Sequence, residues 1–183
     1  GWIPLHQATL AALYRDPPIL GLIAVAVVIL TLLIALGRLP VTVAVVAVAV
    51  SAAIWSVALM SLTGVPIGII TLVIPILVIA LTSSYGVHLA FRFRLRPGDV
   101  TAAAAEVIRP VALAAITTIA GFSTLVLSAV PRLREFGLIS AAGIGAGAVL
   151  CLAVLPAVLT YLHRWQRPSP ERLPARSVLT HLQ

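Results

Sequence analysis

The chain of 183 residues contains no lysine, only five acidic residues and a single cysteine. Charged residues make up 9% of it, against about 25% in an ordinary soluble domain. With 61% hydrophobic residues and a mean hydropathy of +1.17, this balance points to a chain solvated by lipid. The lone Cys151 lies in an apolar run, which excludes an intrachain disulfide framework and reads as a small core residue. No Asp or Glu falls inside a long apolar run: Asp16 and Glu135 stand at one edge, Asp99, Glu106 and Glu171 at the other. No metal-ligand cluster, catalytic triad or thiol pair can be assembled from such a set. Enzyme chemistry, a bound metal and a cofactor are therefore not expected. The chain opens at Gly1 with no basic leader before an apolar stretch, so no signal peptide is read, and an N-terminal portion is expected to be missing.

What is present is a series of five apolar runs, at 19–36, 41–62, about 67–91, 111–130 and about 137–162. A hydrocarbon core about 30 Å thick takes roughly 20 helical residues at 1.5 Å each. The runs are continuous and do not alternate, which excludes a closed β-barrel. The expected fold is all-α, a polytopic membrane protein with a bundle of about five transmembrane helices. An interfacial lead-in is expected over 1–17, with Trp2 and Tyr14 as headgroup anchors, the bundle over 18–164 and a polar tail over 165–183.

The net charge of +7 is carried by arginine alone. The arginines flank apolar runs and form no stripe on a polar surface, so no nucleic-acid partner is expected. Arg38, Arg92, Arg94, Arg96, Arg109, Arg164, Arg167, Arg172 and Arg176 fall on one side, and Arg15, Arg132 and Arg134 on the other. The positive-inside rule puts the first set in the cytoplasm, the N-terminus outside and the C-terminus inside. Asp99 is expected to cap a short helix over 102–108 within the one substantial inner loop.

Chemistry concentrates in Thr82-Ser83-Ser84-Tyr85-Gly86-Val87-His88, in the inner half of the third run. Polar side chains in a membrane helix are costly unless a second helix or a water-filled cavity receives them. Ser84 and His88, four apart, share a face with Tyr85 beside it. One reading is a proton or ion path. The plainer one has the hydroxyls bonding to carbonyls one turn earlier, with His88 near the headgroups. Thr117 and Thr118 on the fourth run either face this region as a relay or serve packing, and Gly121 beside them would admit a close backbone. Gly143, Gly145 and Gly147 lie inside the fifth apolar run, where small residues serve helix packing and not phosphate binding. Pro75 and Pro156 are expected to kink their helices, since each removes a backbone donor.

Taken in order, these motifs resemble the RND superfamily. The segment from Ile74-Pro75-Ile76 through Ser84-Tyr85-Gly86-Val87-His88-Leu89 to Phe91-Arg92-Phe93-Arg94 is similar to the fourth helix of an RND half. The likeness is to the branch holding the mycobacterial membrane protein large (MMPL) exporters and the hopanoid transporters. Ala115-Ile116-Thr117-Thr118-Ile119-Ala120-Gly121-Phe122 resembles the fifth-helix signature, and Pro131-Arg132-Leu133-Arg134-Glu135-Phe136-Gly137-Leu138 the start of the sixth. Gly1-Trp2-Ile3-Pro4-Leu5 resembles the segment that returns from the outer domain.

The resemblance implies helices two to six of one half, the unit also found in sterol-sensing domains. The first helix, the external domain and the other half would be partners outside this chain. In transporting members an aspartate commonly precedes the fourth-helix tyrosine and takes up the proton; here that position is Ser84. A hydroxyl does not titrate near neutral pH, so this unit cannot run the usual carboxylate relay, and a tyrosine with a reference pKa of about 10 carries protons poorly alone. His88 titrates in the useful range, but the resemblance assigns it no role.

The leading expectation is the less acidic, C-terminal half of a proton-driven exporter of lipids or other hydrophobic molecules in a bacterial cytoplasmic membrane. The alternatives are a non-transporting lipid-sensing domain and an accessory subunit of protein translocation. Taken alone, the chain is expected to self-associate or to be unstable in detergent, since helix faces would stand open.

Overall fold

The computed structural model describes residues 21–66, 68, 70–95 and 100–165, with side chains omitted at 94–95, 100–101, 103 and 163–165. Among these residues it is helical without strands: α1 Gly21–Leu36, α2 Leu39–Thr63, α3 Val73–Leu95, α4 Val100–Ser123 and α5 Pro131–Trp165. A short 3-10 turn, Thr124–Leu127, continues α4. Four stretches are long and apolar enough to cross a bilayer, Leu39–Thr63, Ile70–Phe93, Ala104–Leu127 and Pro131–Leu162. The described part of the first run, Gly21–Leu36, is a shorter apolar helix. The expected lead-in, Asp99 cap and tail lie outside the described residues.

The helix ends follow local chemistry. Pro40 sits in the first turn of α2, where its missing N–H costs nothing. At the other end Gly64 takes a left-handed conformation (φ 69°) while Val65 N–H donates to the Met60 carbonyl at 3.0 Å, a Schellman closure. α3 begins later than the apolar run, because Thr71 Oγ1 accepts from Gly68 N–H at 2.7 Å and holds a turn ahead of the helix. Pro75 consequently falls in the first turn of α3 and interrupts nothing, contrary to the expected kink. The inner-loop helix and the fourth span are also not separate. They form one helix running through Pro110, an interior proline that lies between the inner loop and the fourth apolar run. Pro156 does lie inside α5.

Close approaches fix the topology. A Cβ on Gly143 of α5 would meet Ser56 of α2 and Val78 of α3, and one on Gly147 would meet Thr82 of α3. A Cβ on Gly86 of α3 would stand 2.6 Å from Val45 of α2 and 3.4 Å from Leu155 of α5. Residue numbers rise together on α3 and α5, which are parallel, and oppose on α2, which is antiparallel to both. α4 returns beside α5, with Gly137 under the Phe122 carbonyl and the Phe122 and Phe136 rings edge to face at 5.8 Å. The core runs along this α2–α3–α5 seam through Val45, Ala52, Ile74, Val78, Ile144 and Leu155, all fully buried or nearly so. Outward faces carry Leu22, Ile34, Ile54, Leu113, Ile116 and Val149, as helices that meet hydrocarbon on one side and neighbours on the other should.

Candidate functional site

The polar stretch of α3 divides by helical phase. Steps of 100° put Thr82 against Gly147 of α5, while Ser84 and His88 turn toward α4. Thr82, Ser83 and Tyr85 are buried, at 1%, 3% and 5% exposure. Between α3 and α4 lies a cavity of about 460 Å³. Ser84, Tyr85, His88 and Arg92 line its α3 side, and Glu106, Val107, Pro110, Val111 and Ala114 its α4 side. At its mouth Arg92 pairs with Glu106 at 3.6 Å.

Pro110 lies inside α4 on the cavity wall. It offers no N–H to the Glu106 carbonyl one turn earlier, and a proline ring crowds the carbonyl at that position. Glu106, Pro110 and Ala114 stand at successive four-residue steps along that wall.

Hydroxyls mostly bond to their own helix. Thr42 donates to Arg38 O, Ser56 to Ala52 O, Thr117 to Leu113 O and Thr118 to Ala114 O, the last at 2.7 Å. Four buried hydroxyls among the described residues do not: Thr82, Ser83, Tyr85 and Ser140 make no well-formed hydrogen bond, and of these Tyr85 comes within the influence of Thr118. Such groups inside a bilayer are expensive, which singles this set out from the back-bonded ones.

The sequence-picked residues are thus brought together in part. Thr118 faces Tyr85, with Cys151 of α5 close to the same ring. Thr117, one residue away, is exposed and bonded to its own helix. Ser84 and His88 share the cavity. Gly143 and Gly147 are at tight crossings, Gly145 is at an ordinary 3.5 Å from Ile119, and nothing lies within 4 Å of a Cβ on Gly121. The sequence reading missed the Arg92–Glu106 pair, Pro110 and Ser140. The first two were signalled by four-residue spacing, His88 to Arg92 and Glu106 to Pro110; nothing local distinguishes Ser140. No cluster of three or more His, Cys, Asp or Glu is found among the described residues.

A bundle of this kind, with four described helices long and apolar enough to cross a bilayer, defines a polytopic α-helical membrane protein. The chain belongs to the MMPL family, whose profile matches residues 5–179. It is also 32% identical over 129 residues, 67% of its length, to a membrane protein of Methanocaldococcus jannaschii. That match spans 33% of the archaeal protein, so the chain covers about a third of its relative. No solved structure matches.

Proposed function

We propose that this chain is a membrane module of an RND-type, proton-driven transporter that exports lipids or other hydrophobic molecules. The observation that carries the reading is the placement of Ser84, Tyr85 and His88 on α3, with Thr118 of α4 facing Tyr85, in a chain of this family. Buried hydroxyls without partners are tolerated where a changing set of waters or neighbouring groups serves them, as along a polar path. The arginine-bearing end with Arg38, Arg92 and Arg109 would face the cytoplasm of a cell bounded by its inner membrane, and the Arg132 end the outside. A first helix, an external domain and a second half would complete the machine, and the second half would supply the titrating carboxylate that Ser84 replaces. The glycine crossings at Gly143 and Gly147 would hold α2, α3 and α5 as one body while α4 moves against it.

The replacement at Ser84 also favours a second reading, a lipid-sensing membrane domain that does not transport. The two separate on flux. In energised vesicles bearing the whole protein, Ser84→Ala is expected to lower transport several-fold; unchanged flux would leave Ser84 a packing residue.

A further inference from the structure

Two polar side chains of α3 lie where a membrane helix is ordinarily apolar. His88 and Ser84 stand five and nine residues inside Phe93, the last residue of the span, about 8 and 14 Å along the helix. Both are exposed, whereas Thr82, Ser83, Tyr85 and Leu89 around them are buried. Both line the α3–α4 cavity. Hydrocarbon against these groups would be costly, and water satisfies a hydroxyl and an imidazole at once. The space of about 460 Å³ is many times the roughly 10–15 Å³ that one water needs. Its mouth is level with the end of the span, where Arg92 and Glu106 remain partly exposed.

Charge decides what a wet cavity of this kind can bind. Among the described residues of the four spans, His88 carries the one side chain whose reference pKa, about 6.5, lies between pH 5 and 8. The charged and titratable groups that share the cavity with it are Tyr85 and Arg92 on α3 and Glu106 on α4. Arg109 of α4 is exposed and is not among the lining residues, and α5 contributes none of them. Arg92 and Glu106 pair at 3.6 Å and cancel, so a proton on His88 takes the lining from neutral to a single positive charge. Arg92 opposes that proton as a like charge one turn away, and the carboxylate offsets it.

We propose that His88 is a proton-binding site of this module, filled from water that enters past the Arg92–Glu106 pair. The proton adds to the unprotonated ring nitrogen and leaves from the same atom, with no other bond made or broken. Ser84, one turn deeper, offers a hydroxyl oxygen to the imidazolium and continues the polar wall to Tyr85. This deepens the transport reading and rests on it: a half with Ser84 in place of a carboxylate binds its proton one turn nearer the mouth.

The full chain in bilayer nanodiscs, with its four histidines ring-labelled, gives the first test by NMR. One signal, removed by His88→Gln, is expected to titrate reversibly between about pH 5 and 8. Its midpoint should move up in Arg92→Gln, which leaves the carboxylate unopposed, and down in Glu106→Gln, which leaves the guanidinium. A His88 that keeps one protonation state across that range, or ignores both changes, overturns the site. Water is tested separately. Ser84→Cys in a Cys151→Ala background should react with a small charged thiosulfonate several-fold faster than Cys151 does in the native chain. Equally slow reaction would mean a dry or lipid-filled cavity and would also overturn it. In proteoliposomes of the whole protein, His88→Gln should lower flux of a fluorescent lipid driven by a pH gradient several-fold. His88→Asp should restore part of it, with the pH dependence moved to lower pH. Full flux in His88→Gln overturns the role in transport. No flux in the wild type, with His88 titrating and shifting as expected, sinks the transport reading and leaves the site standing.

Discussion

Gly143 and Gly147 stand where a single methyl group would enter the space of Ser56 and Thr82. Without a hydrophobic force between helices in lipid, close packing of small residues carries association, so these crossings should be sensitive. Gly147→Ala is expected to lower stability by about 1–3 kcal/mol, the usual cost of overpacking. Gly121→Ala, with nothing within 4 Å, should be neutral or stabilise by up to about 1 kcal/mol through helix propensity. Thermal unfolding in detergent compares the two directly. The residue types were legible in the sequence for both, but their unequal roles were not. Helical phase relative to a neighbour, which four-residue spacing alone does not supply, separates Gly147 from Gly121 and Thr118 from Thr117. Tyr85 gives the complementary case. Its buried hydroxyl faces Thr118 without a well-formed hydrogen bond, so Tyr85→Phe should leave stability unchanged or slightly raised, checked in the same melt.

At the scale of elements, α4 differs from its neighbours. Only 11% of its apolar window is buried, against 44% for α2 and α5, which makes it the least anchored span. It is also the helix that carries an interior proline next to the cavity. Pro110→Ala restores a donor to the Glu106 carbonyl and is expected to raise the melting midpoint, since an interior proline costs a helix about 3 kcal/mol. The same change should slow transport by stiffening α4, a split that stability and flux assays on one variant would reveal. Hydropathy found the spans because continuous apolar length is a strong signal. It misplaced the start of α3 and divided α4 from its inner extension, because Thr71 and Pro110 act through local hydrogen bonding that hydropathy does not register.

At the scale of the whole molecule, membership of the MMPL family and an all-helical bundle agree with what composition and motif order implied. That agreement rests on physics that lipid enforces everywhere: each backbone group must be bonded within its own helix, so apolar length reads directly as architecture. The candidate site was legible in its residue types, through the polar stretch 82–88, and illegible in its partners, because the cavity is lined by two helices distant in sequence. Under the proposed function the Tyr85 hydroxyl, buried at a cost and facing Thr118, belongs to a polar path used in transport. The most direct test is substrate flux driven by a pH gradient in proteoliposomes of the whole protein containing this chain, wild type against Tyr85→Phe. A loss of about tenfold or more is expected in the variant, equivalent to about 1.4 kcal/mol, with no loss of folding or melting temperature. Equal flux from the two proteins would contradict it and reduce the α3–α4 site to packing.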